Sequence, residues 1–207
     1  PIAAQLSRGK YEWQALAALA QALNDVRRFA WDLSLFTSAE FDFVALPNAF
    51  TTGSSLMPNK RNPDVVELLR ASPSVVQGAM LELQSLSALP LGYHRDMQAG
   101  KGPVLRAFAH GLDALAIAAR VFEAVAWKPE RMRAAIDAGM YATDRAIELA
   151  AAGVPFREAY RQAADVGSDR VARTPEGSLA ARTSPGAAGD LGMTQLQVRL
   201  TALQVSI

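Results

Sequence analysis

Apolar side chains in this sequence fall into two long rows with helical spacing. Leu16, Leu19, Leu23, Val26, Ala30 and Leu33 recur at steps of 3, 4, 3, 4 and 3, which keeps one stripe on one side of a helix. Leu105, Phe108, Leu112, Leu115, Ala119, Phe122 and Ala126 step 3, 4, 3, 4, 3 and 4. The first row predicts a helix over residues 12–36. The second predicts one opening at Gly102-Pro103, because the N–H that proline lacks would be unpaired in a first turn anyway. Between them, Asn62-Pro63-Asp64 predicts a helix start. Asn62 would be its cap, Pro63 its first residue, and Asp64 and Glu67 the negative charge at its positive end. That helix should run to Leu86 and kink just before Pro73, which removes a backbone hydrogen bond.

After Trp127 the pattern shortens. Pro129 to Gly139, Thr143 to Gly153 and Pro155 to Gly167 each read as a short helix between punctuating residues. Residues 167–193 are rich in Gly, Ser, Thr and Pro with one helical turn near 176–182, and Thr194 with Gln197 predicts a last helix with a capping box. No stretch alternates as a strand would. The predicted fold class is all-α, with residues 1–126 contributing to a long-helix bundle and residues 127–207 forming a small carboxy-terminal helical domain. The apolar rows are more than one short chain can cover, so a larger bundle built from several copies is the economical arrangement.

Composition sharpens this. Among 207 residues, 40 are Ala, the strongest helix former and the one that lets helices approach closely. A formal net charge of +1 removes the electrostatic motive for nucleic-acid or anionic-membrane binding. The absence of Cys excludes disulfides, thiolate metal sites and a cysteine nucleophile, and suits a reducing compartment. No apolar run approaches the length of a membrane span. The chain opens on Pro rather than Met with no basic-then-apolar leader, so the reading is a segment that starts partway into a longer or processed protein, of cytoplasmic location.

Two interhelical loops carry more chemistry than connectors need. Residues Thr51 to Pro63 combine Gly53, four hydroxyls, the adjacent cations Lys60 and Arg61, and a helix N-terminus. Backbone N–H groups, a helix dipole and positive side chains together can hold an anion, although a solvated Ser/Thr loop before a capped helix fits equally well. The spacing of a Walker loop is absent. Residues Leu89 to Lys101 include Tyr93, His94, Arg95, Asp96, Gln98 and Lys101. Such a mixture suits a zwitterionic ligand, or else a polar turn whose charges pair with each other. His110 falls within a helix and reads as structural or solvated.

The run Gly53-Ser54-Ser55-Leu56-Met57-Pro58-Asn59-Lys60-Arg61-Asn62-Pro63 closely resembles the G-S-S-x-M-P-x-K-x-N-P signature of the fumarase/aspartase superfamily. The second loop, with Leu89-Pro90, Tyr93, Asp96-Met97-Gln98 and Lys101, resembles the argininosuccinate lyase pattern L-P-x-x-Y-x-x-D-M-Q-x-x-K. Ala142-Thr143-Asp144, Gly153 to Ala159 and Ala181 to Gly186 resemble that family's carboxy-terminal region. Departures are His94, Arg95, Ala99 and Gly100 where the family usually has Asn, Lys, Glu and Asp, Asn59 in place of Gln, and Ser7-Arg8-Gly9-Lys10 in place of S-x-R-D. The family's T-H-x-Q-x-A-Q-P segment, with its catalytic His, is absent. The resemblance is to the carboxy-terminal half of such an enzyme.

That resemblance implies a cofactor-free, metal-free β-elimination that splits argininosuccinate into arginine and fumarate, as in arginine biosynthesis. Ser54 matches the catalytic serine and would be the base. Lys60 would stabilise the carbanion, Asn62 would bind a substrate carboxylate, and Tyr93, Gln98 and Lys101 match substrate-contacting positions. The family builds homotetramers, with each site drawn from several subunits. Two alternatives accompany this reading. One is a sister lyase acting on adenylosuccinate or on an amino-modified argininosuccinate. The other is a non-catalytic helical assembly of the lens-crystallin kind.

Overall fold

A computed structural model describes residues 2–87, 95–165 and 173–205. They divide into two compact units, one ending at Pro129 and the other starting at Glu130.

The first unit is a bundle. A short helix α1 (Ile2–Leu6) leads into α2 (Lys10–Phe36). Then come β1 (Val44–Ala45), α3 (Asp64–Ala71), α4 (Pro73–Ser87), α5 (Lys101–Ala124) and β2 (Ala126–Trp127). The predicted row on α2 is the centre of the core: Leu16, Leu23, Ala30 and Leu33 are fully buried, with Leu19 and Val26 nearly so. Val66 and Leu69 of α3 and Val76, Ala79 and Leu83 of α4 close over them. Each leucine buried in this way stabilises the fold by roughly 1.5–3 kcal/mol.

The row predicted on α5 faces this core only in part: Phe108 and Leu115 pack against it. Leu105 is 71% exposed and Leu112 57%, while Pro103, Ala107, Gly111, Ala114, Ala118 and Val121 point inward. The reason is how near α2 lies. A Cβ on Gly111 would stand 2.7 Å from Leu19 Cδ2, so only a small residue fits at that crossing, and Leu105 and Leu112 are turned outward. Phe29 and Phe122 stack across the same pair of helices with centroids 3.6 Å apart. Spacing alone does not tell which of two interleaved apolar rows a helix will bury.

The helix is interrupted at Ser72, just before Pro73, and the residues beside the break repair its cost. Proline cannot donate to the Leu69 carbonyl one turn back. Buried Ser72 donates its hydroxyl to that carbonyl at 2.9 Å instead, and Ser74 Oγ donates to Ala71 O at 2.7 Å. Two features escaped the sequence reading. β1 and β2 pair antiparallel, Val44 with Trp127 and Ala45 with Ala126, and they are too short to show any alternation. The predicted cap Asn62 is not a cap either: α3 starts at Asp64 after Pro63, with no side-chain cap bond.

The second unit holds α6 (Pro129–Ala134, its first residue in the first unit), α7 (Ala142–Ala151), α8 (Phe156–Ala164), α9 (Pro175–Ala180) and α10 (Met193–Val205). Gly153 ends α7 in a left-handed conformation at φ +93°, the usual role of glycine after a helix. α7 and α8 pack through Ala146, Ala159 and Ala163. Arg173 forms a two-pronged pair with Glu148 at 2.8 Å. Asp144 accepts from both Ser178 and Arg182. Thr174 caps α9 by accepting the Gly177 N–H at 3.1 Å. The last helix begins at Met193, one residue before the predicted cap.

Candidate functional site

The loop between α2 and α3 is pinched at its base. Thr52 and Asn62 form an isolated antiparallel bridge, Thr52 N to Asn62 O at 3.0 Å and Asn62 N to Thr52 O at 2.8 Å. Two side-chain bonds reinforce it: Thr52 Oγ1 donates to Asp64, and the Arg61 guanidinium donates to the Asn48 side-chain carbonyl. Asn62 therefore serves this bridge with its backbone, which is why it does not cap α3.

Within the pinched loop, Ser54 is half-buried. Its Oγ accepts two backbone N–H groups, Leu56 at 3.2 Å and Met57 at 3.1 Å. A hydroxyl that accepts two such bonds keeps its own proton free to leave, and the same N–H groups would hold the oxyanion left behind. Pro58 sets the next turn, in which Lys60 N–H donates to Met57 O at 3.1 Å. Lys60 itself is exposed and forms no ion pair among the described residues. Serine, lysine and Asn62 thus lie in one eleven-residue loop (Thr52–Asn62), close to the N-terminal end of α3.

The second loop is partly described. Tyr93 and His94 lie outside the described residues. Residues Arg95–Gly100 form a single 3-10 segment that runs into α5. Gln98 and Lys101 line a cleft of about 520 Å³ together with Arg8, Glu12, Leu83 and Met97. Arg8 stood out in the sequence only as part of a stretch that departs from the S-x-R-D pattern, and Glu12 belongs to no motif.

One geometric fact separates the two loops. The first enters α3 at Asp64, and the second leaves α4 at Ser87. At 1.5 Å per helical residue, these 24 positions span roughly 35 Å. Within one chain, Ser54 and Lys101 stand at opposite ends of the bundle. No single small substrate reaches both.

Sequence comparison places the chain. Residues 2–78 match the lyase family. Over 205 residues the chain is 59% identical to an argininosuccinate lyase of Xanthomonas euvesicatoria pv. vesicatoria, covering 99% of this chain and 48% of that protein. The chain is similar to these members of the lyase family. A second argininosuccinate lyase, from Stenotrophomonas maltophilia, is 58% identical over 205 residues, covering 98% of this chain and 47% of the relative. The chain therefore spans about half the length of the curated relatives it matches, and the matching part is their carboxy-terminal half.

Solved structures share the fold at lower identity. An EDDS lyase in complex with formate aligns with a TM-score of 0.61 at 19% identity, covering 86% of this chain and 43% of that one. A fumarate lyase from Mesorhizobium sp. BNC1 aligns at 0.60 with 18% identity, covering 76% and 35%. These lyase-family neighbours are helical bundles, as this chain is. Among the described residues, no helix is long and apolar enough to cross a membrane.

Proposed function

We propose that this chain is the carboxy-terminal half of an argininosuccinate lyase, supplying the base and part of the substrate pocket for a cofactor-free β-elimination. The observation that carries this is Ser54 Oγ, held between the Leu56 and Met57 N–H groups inside a signature loop whose ends are pinned together. Ser54, as alkoxide, removes the proton from the carbon next to a substrate carboxylate. The carbanion's charge spreads into that carboxylate, where Lys60 and Asn62 stabilise it. The carbon–nitrogen bond then breaks, releasing fumarate, and the departing guanidino nitrogen takes a proton from an acid outside this chain. Tyr93, Gln98 and Lys101 hold the remainder of the substrate.

Because the two loops attach to the far ends of α3 and α4, separated by up to roughly 35 Å of helix, each site joins the first loop of one copy to the second loop of another. The outward rows on α5 and α3, with Leu105, Leu112 and the 71%-exposed Leu68, supply apolar surface for the bundle of a homotetramer. Domains 1–126 and 127–207 keep separate roles, bundle and appendage, and the assembly works in the cytoplasm.

The test uses the full-length protein. Fumarate release from argininosuccinate, followed by its ultraviolet absorbance, should fall below a few per cent in Ser54→Ala with KM nearly unchanged, because the hydroxyl acts in the transition state. Lys101→Met should be equally impaired. Reassembling the two variants from a common denatured pool should restore about a quarter of wild-type activity, since half of each loop type is intact and the copies pair at random. No recovery would refute the shared site. Full activity in Ser54→Ala would refute the base.

A further inference from the structure

The cleft beside the second loop contains two charged residues that nothing above gives a role. Gly9 puts them there. Its φ of +83° turns the chain sharply between α1 and α2, and a Cβ at that position would lie 3.0 Å from Ser87 Oγ and 3.1 Å from Met97 Cε. The absent side chain lets the α1–α2 corner sit directly on the end of α4 and the second loop. Arg8, just before the corner, and Glu12, in the first turn of α2, consequently line the same cleft as Gln98 and Lys101.

We propose that Arg8 and Glu12 are specificity-determining residues that read the amino-acid end of the substrate, Arg8 its α-carboxylate and Glu12 its α-ammonium. This rests on the lyase reading, which needs such a receptor. The first loop, with Ser54, Lys60 and Asn62, is matched to the succinate end, where negative charge develops. The other end is a zwitterion attached through a flexible chain, and it requires both signs of charge at fixed places. The cleft offers two cations, one carboxylate and one amide around an apolar floor of Leu83 and Met97. Its volume of about 520 Å³ falls in the range of small-molecule sites. An arginine also suits a carboxylate through its planar pair of donors.

The assay is fumarate release by the full-length protein, with argininosuccinate and with an analogue lacking the α-amino group. In Arg8→Gln, KM for argininosuccinate should rise roughly tenfold or more while kcat stays within about threefold, the signature of binding lost equally in ground and transition states. Arg8→Lys should recover part of the loss. In Glu12→Gln, KM should rise for argininosuccinate but not for the deamino analogue, so the preference between the two substrates collapses. At Glu12 a merely structural role would shift KM for both substrates together, and that result in Glu12→Gln overturns the proposal. So does an unchanged KM in both variants. A wild-type protein without turnover would overturn the lyase reading and this inference together, whereas an active wild type with indifferent variants overturns this inference alone.

Discussion

Gly111 and Gly78 form a matched pair that tests how α5 is packed. Both lie within long helices, and a glycine there costs about 1 kcal/mol relative to alanine from backbone entropy alone. Gly78 is exposed on α4, and a methyl group added there would find nothing within 4 Å. Gly78→Ala should therefore stabilise the chain by about 0.5–1 kcal/mol. At Gly111 the same methyl would meet Leu19 Cδ2 at 2.7 Å, Cγ at 3.0 Å and Cδ1 at 3.1 Å. All three branch atoms of a nearly buried leucine would have to move, and overpacking of this kind costs typically about 1–3 kcal/mol. Set against the propensity gain, Gly111→Ala should be net destabilising by about 1 kcal/mol, or roughly 4 °C in Tm for a unit of this size. Urea unfolding followed by helix ellipticity would measure both. The double variant Leu19→Ala/Gly111→Ala should lose less than the sum of its parts, because the clash partner is gone. If Gly111→Ala raised stability as Gly78→Ala does, α5 would not cross α2 at this point, and the explanation for its outward apolar row would fail.

The repair at Pro73 predicts a coupling. Ser72→Ala should cost about 1 kcal/mol by leaving the Leu69 carbonyl with only the longer backbone bond from residue 72 at 3.3 Å, and markedly less in a Pro73→Ala background, where the backbone N–H returns. For the first loop, hydrogen exchange at Leu56 and Met57 should accelerate in Ser54→Ala, which removes the acceptor of both amides; unchanged exchange would place that hydroxyl elsewhere. In the second unit, the Arg133 hydrogen bond holds the Glu176 carboxyl below the ordinary glutamate range and raises Arg133 in return. A lowered folded pKa means stabilisation that is present above the unfolded value and lost as pH falls through the folded one. A carboxyl-detected NMR titration should show Glu176 titrating below other exposed glutamates, and Arg133→Gln should return it to the group. Added salt should narrow the difference, since both partners are exposed.

The fold was largely legible because long helices announce themselves by period. The α2 row was read correctly, since it is the only apolar stripe on that helix dense enough to serve as a core. On α5 two stripes compete, one of Leu and Phe, the other of Ala and Gly. Hydrophobicity favours the first, yet interhelical distance buries the second and leaves the first only partly covered. That distance is a tertiary quantity, set by Leu19 on a helix some ninety positions away, and no window on α5 contains it. The β1–β2 pair was invisible for a related reason. Two residues cannot show alternation, and what joins them is the return of the chain from Ala124 to the region before Leu46.

The chemistry was legible to a different depth. The signature loop stood out residue by residue because its side chains keep a fixed spacing, and the structure adds what spacing omits: the Thr52–Asn62 bridge that closes the loop and the two N–H groups on Ser54. The second loop also stood out, but that Arg8 and Glu12 line a cleft with it did not, since they reach it only through a left-handed turn at Gly9. The separation of the loops has the widest consequence. A sequence lists Ser54 and Lys101 some fifty positions apart and says nothing of direction, so both seem available to one pocket. Once the intervening residues are a nearly continuous helix, they become a spacer of roughly 35 Å. A rod of that length cannot fold its ends together without breaking the core that Val66, Leu69, Val76 and Leu83 build. A reaction that needs both loops must then bring a second copy alongside. The exposed apolar residues Leu68, Leu105 and Leu112 are where such a copy would bury surface, so the proposed assembly and the proposed chemistry would rest on the same helices.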